Sequence, residues 1–180
     1  MTQSASRDGT WLWVALLTVT SAVTTTVLAC AMPFVALAAI AATRMPGRAG
    51  VALIGLTWAI NQAVGYSLLS YPHDATTAAW GIGILSAALA AVAAARWGDR
   101  TLATAAPALR LATAFGVGFV AYKAMLLGWS LVLGGVHTAT SPYWTARQFA
   151  LEGAVLVGLV ALYHLLVAVG VPAARRVRFA

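Results

Sequence analysis

Five apolar runs, 11–43, 50–70, 77–95, 107–135 and 145–171, take up most of this 180-residue chain, and the segments between them are short and rich in Pro, Gly and Arg. Such a stretch must satisfy its backbone hydrogen bonds internally and keep its side chains out of water. A helix of about 20 residues crossing about 30 Å of hydrocarbon does both. Composition closes off the soluble alternative. Hydrophobic residues make up 62% of the chain and charged ones 8%, with a mean hydropathy of +0.88, whereas a soluble domain carries about 25% charged residues. The chain therefore reads as one all-α integral membrane domain over 1–180, and an ATPase, reductase or DNA-binding module would have to be another chain.

The last four runs are each long enough for one span. The first, at 33 residues, would be about 50 Å long as a single helix, too long for one upright crossing and short for two. Met32-Pro33 lies two-thirds of the way along it, and proline forces the residue before it out of helical geometry. The expected spans are 11–30, 33–43, 50–70, 77–95, 107–135 and 145–171, a bundle of six transmembrane helices, or five if 11–43 crosses once.

Charge placement tests this layout. Arg44 and Arg48 flank the second connection, 71–77 has no Lys or Arg, Arg96, Arg100 and Arg110 flank the fourth, Arg147 alone lies near the fifth, and Arg175, Arg176 and Arg178 form the tail. This alternation follows the positive-inside rule, with both termini cytoplasmic if 11–43 crosses twice. The net charge of +7 then serves orientation and contact with anionic lipid headgroups rather than nucleic acid. The N-terminal apolar stretch is much longer than a signal peptide's hydrophobic core, so it is expected to stay attached. Trp11, Trp13, Trp97 and Trp144 fall at span ends, where indole anchors at the interface.

Two charges lie at membrane depth, Lys123 and Glu152. A charge there costs at least about 2.5–3.5 kcal/mol unless it finds a partner or water, so the two are expected to pair or to share a polar ligand. Asn61, Gln62, Tyr66 and Gln148 fall at a similar depth, and these groups could line a pocket open to the outside or could bond across helices to hold the bundle together. Trp58, Trp129, Tyr71 and Tyr143 are candidate aromatic walls, and Thr18, Thr20, Ser21, Thr24, Thr25 and Thr26 either bond back to their own helix or line a cavity. The candidate substrate-binding set is Asn61, Gln62, Tyr66, Lys123, Trp129, Gln148 and Glu152.

Other chemistries find little support. One cysteine, Cys30, and one histidine at membrane depth, His164, offer neither a metal cluster nor paired haem ligands. There is no HExxH, GxSxG or P-loop, so no catalytic residue, metal or cofactor is assigned and the chain is not expected to be an enzyme. Ala79, Gly83, Ala87, Ala91 and Ala95 recur every four residues, a smooth stripe suited to close helix packing or to docking on a larger complex. An accessory or assembly subunit is thus the alternative to a binding protein.

In length, span count, broken second helix and outward polar pocket, the chain resembles the substrate-capturing S components of energy-coupling-factor vitamin transporters. Those have about six helices and capture vitamins near the outer face. The resemblance implies uptake of a vitamin or cofactor precursor, with a membrane coupling subunit and cytosolic ATPases as partners. It also implies an Ala-x-x-x-Ala contact on the first helix. Here that helix carries the looser Thr18 to Ala22 and Ser21 to Thr25 spacings, and Ala38-x-x-x-Ala42 falls on the next segment.

Overall fold

The computed structural model describes residues 10–20 and 33–171. They form seven helices and no strand: α1 Thr10–Thr20, α2 Phe34–Arg44, α3 Gly47–Ser67, α4 Ala75–Thr101, α5 Pro107–Leu133, α6 Val136–Thr140 and α7 Pro142–Ala168. The fold is all-α, and α4, α5 and α7, at 27 residues each, are long and apolar enough to cross a membrane. Cys30, Ser21, Thr24, Thr25, Thr26 and the Arg175–Arg178 tail lie outside the described residues.

Prolines set four of the helix starts. Pro107 and Pro142 occupy the first turns of α5 and α7, while Pro33 and Pro46 immediately precede α2 and α3. The missing proline N–H falls where a helix has no internal acceptor, so the chain loses nothing by the substitution. Asp74 starts α4 instead by accepting the Thr77 N–H at 2.7 Å, which holds its carboxyl below the usual range. Gly134 and Gly135, at φ 91° and 89°, make the turn into α6 that side chains with a Cβ rarely adopt.

At the centre lies α2, in contact with α3, α4, α5 and α7. All nine residues Phe34–Ala42 are buried, as expected for a helix that is apolar all round. Eleven residues rise only about 16 Å, roughly half the hydrocarbon thickness. Ala38 and Ala42 are wholly buried inside the bundle. The alanine stripe of α4 is an internal seam as well. Gly83, Ala87, Ala91 and Ala95 are buried, and a Cβ on Gly118 of α5 would sit 3.3 Å from the Ala91 carbonyl oxygen. From Gly83 to Ala95 this face is covered by the chain's own helices, while Ala79 is half-buried.

One end of the bundle gathers arginine. The Arg44 guanidinium lies 4.6 Å above the Tyr163 ring, whose centroid is 4.7 Å from Trp13. The start of α1, the end of α2 and the last third of α7 therefore meet at that end. Trp13, expected at the interface, is a core residue at 1% exposure, while Trp11 and Trp97 remain exposed. Arg96 donates to the Gly47 and Pro46 carbonyls at 3.0 and 3.3 Å. Gly47 and Gly50 leave room for its guanidinium, since a Cβ on Gly50 would lie 2.5 Å from Nη2. Arg110 binds buried Asp99 at 2.6 Å, which lets α4 continue as helix six residues beyond the expected end at 95. Thr18 and Thr20 bond back to the Val14 and Leu16 carbonyls, satisfying their hydroxyls within α1.

The seam makes a packing prediction. Ala91→Leu should destabilise the protein by about 2 kcal/mol or more through overpacking, whereas Val120→Leu, at a site 68% exposed, should stay within about 0.5 kcal/mol. Unfolding in detergent measures both, and equal stability of the two variants would show that the stripe is not packed internally.

Candidate functional site

Opposite the arginine-rich end, a cavity of about 480 Å³ opens among α3, α4, α5 and α7, with Pro33 at the start of α2 also in its wall. Its rim includes Tyr71 of the α3–α4 connection, Thr138 and Ala139 of α6, and Trp144 of α7. Five of the seven residues expected from the sequence line it: Asn61, Gln62, Lys123, Gln148 and Glu152. Helix spacing explains their convergence, because Gln148 and Glu152 are four residues apart on α7 and share a face with Leu151 and Val155. Lys123 lies ten residues before the end of α5 and Glu152 ten residues into α7. Each is therefore about 15 Å of helix from the cavity end of the bundle.

The expected Lys123–Glu152 ion pair is not formed. Among the described residues the ion pair present is Arg110–Asp99. Glu152 Oε2 instead accepts the Ala36 N–H at 3.0 Å. The reason is the half-length helix. Because α2 starts at this depth, its first N–H groups have no acceptor of their own and carry the positive end of its dipole, so the nearest carboxylate goes there. Glu152 is 4% exposed, and its Oε1 has no hydrogen-bond partner among the described residues.

The other polar side chains are also unpaired. Among the described residues, Asn61, Gln62, Lys123 and Gln148 make no side-chain hydrogen bond to one another or to a neighbouring helix. Side chains serving to hold helices together would show those bonds. All four line the cavity, where water or a ligand can supply what the protein does not.

Two expected site residues lie elsewhere. Trp129 turns toward α4: its Nε1–H donates to Ser86 Oγ at 2.8 Å and its ring rests on Gly83, where a Cβ would come within 3.0 Å. Tyr66 packs beside the cavity on Tyr71 and His73, with ring centroids 6.0 and 5.2 Å away. Tyr143 is 67% exposed. Trp80, Tyr122 and Arg147, which line the cavity, were not among the expected site residues. Gly81 gave no signal either, although Trp58 Nε1–H donates to its carbonyl at 2.8 Å and Gln62 Oε1 occupies the space that a Cβ there would need. Gly81 thereby positions Gln62. A second crevice, between α1, α2 and α7, is lined by Trp13, Leu17 and Tyr163 and measures about 10 Å³, room for about one water.

Among the described residues no three His, Cys, Asp or Glu side chains come together. Comparison of the chain with protein-family models, with curated proteins and with solved structures finds no match.

The contact between Glu152 and α2 is testable. Glu152→Ala leaves the Ala36 N–H without an acceptor and should cost about 1–3 kcal/mol, with faster hydrogen exchange at Ala36. Glu152→Gln keeps a carbonyl oxygen there and should retain most of the protection. Unchanged exchange in Glu152→Ala would show that the carboxylate does not hold α2.

Proposed function

We propose that this chain is a multi-pass cell-membrane protein that captures a small organic molecule in an outward-facing pocket and hands it on for uptake. The observation that carries the reading is the cavity itself. It has the size of an ordinary small-molecule site and sits at about mid-depth in the bundle. Its lining includes Asn61, Gln62, Lys123 and Gln148, which among the described residues make no side-chain hydrogen bond to one another.

Orientation supports the direction of capture. Arg44, Arg96 and Arg110 sit at the end opposite the cavity, and the positive-inside rule assigns that end to the cytoplasm. The cavity then opens outward. Both ends of the described chain lie at the arginine-rich end, which supports six spans with cytoplasmic termini, α1 and α2 being the described parts of the first two. A vitamin or cofactor precursor is the ligand class in this reading, and a separate coupling subunit with cytosolic ATPases supplies the energy. The protein is thus a binding subunit rather than an enzyme. Burial of the α4 stripe and of Ala38 and Ala42 removes the faces on which an accessory-subunit role, or docking through those alanines, would have rested.

Capture is tested with the purified protein in mild detergent. Mass spectrometry of the extracted sample should reveal a co-purified small molecule, depleted when Ala139→Trp fills the cavity. Cells expressing the wild-type chain with its partners should take up that molecule faster than cells expressing the filled variant. Lys123→Ala and Glu152→Ala should each weaken its binding by about tenfold or more. Absence of any molecule enriched over Ala139→Trp would argue against capture.

A further inference from the structure

The cavity carries charge of both signs, and the placement of those charges constrains what fits. Glu152 lies at its floor, 4% exposed, with Oε2 on the Ala36 N–H and Oε1 unpartnered among the described residues. Lys123 and Arg147 stand in the same lining. Lys123 has no carboxylate within 4.0 Å among the described residues, and the Arg147 guanidinium lies 5.5 Å from the Trp144 ring. Trp80 and Tyr122 add aromatic surface.

Each feature demands something of an occupant. A buried carboxylate oxygen without a donor is costly, and a ligand N–H or ammonium removes that cost. The ligand cannot be simply cationic, because Lys123 and Arg147 outnumber Glu152 and the N-terminus of α2 adds further positive potential. Nor can it be simply anionic, because a second acid beside Glu152 would leave Oε1 without a donor. Resting on the reading of this cavity as a small-molecule site, we propose that the ligand is a flat, amphoteric ring compound. Its cationic or N–H donor end meets the Glu152 carboxylate and its carboxylate or phosphate meets Lys123 and Arg147.

Three probes built on one ring separate the charges: 4-(aminomethyl)benzoate with both, benzylamine with the cation and benzoate with the anion. Binding is measured on the full chain in lipid nanodiscs by thermal shift and by competition. The amphoteric probe should bind at least about tenfold more tightly than either single-charge probe. Glu152→Gln, which keeps an acceptor for Ala36, should weaken 4-(aminomethyl)benzoate and benzylamine by about tenfold and leave benzoate unchanged or tighter. Lys123→Gln should weaken 4-(aminomethyl)benzoate and benzoate and spare benzylamine. Benzoate binding retained in Glu152→Gln also shows that this variant is folded. Equal weakening of all three probes in both variants, or no saturable binding by any of them at millimolar concentration, overturns the proposal. If charge-resolved binding holds but cells take up nothing, the uptake reading fails alone. If uptake proceeds unchanged in both variants, the amphoteric assignment fails alone.

Discussion

The hydrogen bond from the Ala36 N–H to Glu152 follows from a helix that starts in the wrong place for a membrane. A helix in hydrocarbon must satisfy its backbone within itself, and the exposed first turn of a span ordinarily reaches the headgroups or water. Pro33 begins α2 in the buried interior of the bundle, so its first N–H groups need an acceptor there. Glu152 supplies one and is in turn stabilised by the helix dipole. Each group makes the other tolerable, and their meeting fixes the height at which α7 packs on the centre of the bundle. It also sets the floor of the cavity, which begins where α2 does.

The two halves of the bundle are built by different rules. Around α2 the interfaces are made of alanine and glycine, whose small side chains let α4 and α5 approach until Gly118 lies almost against the Ala91 carbonyl. Packing of this kind suits a membrane, where no hydrophobic effect draws helices together and close contact must do the work. Arginines close the same end by reaching backbone carbonyls and Asp99. Beyond α2, among the described residues, the side chains lining the cavity are larger and many are polar. The firm half holds the geometry of the open one.

Much of this was legible in the sequence because depth along a helix is a matter of counting. The break at Pro33, the four long runs and the common level of Asn61, Gln62, Lys123, Gln148 and Glu152 all follow from residue numbers and a rise of about 1.5 Å. The sequence could not show which way each side chain turns. Trp129 and Tyr66 lie at plausible depths, yet Ser86 and Gly83 claim the first while Tyr71 and His73 claim the second. A direct Lys123–Glu152 pair is displaced for a related reason, because a helix that starts midway through the bundle presents backbone N–H groups that claim the carboxylate. Trp13 looked like an interface anchor by position, but Tyr163 and Arg44 close over that end of α1. The Gly134–Gly135 pair is the sign of α6 in the sequence, although the apolar run 107–135 continues across it.

Polar residues in a membrane bundle invite two explanations, and their hydrogen bonds decide between them. If Asn61, Gln62 and Gln148 served to tie helices together, each would have a partner across an interface, because an amide left alone there costs about 1–3 kcal/mol. Elsewhere this protein meets that demand: Trp58 finds Gly81, Trp129 finds Ser86, Thr18 finds Val14 and Arg110 finds Asp99. Thr57 Oγ1 is a buried exception elsewhere among the described residues, but Asn61, Gln62, Lys123, Gln148 and Glu152 all line the same cavity. A chain that pairs most of its polar groups and gathers this unpaired set at one depth has the arrangement of a site that receives its missing partners from outside the protein.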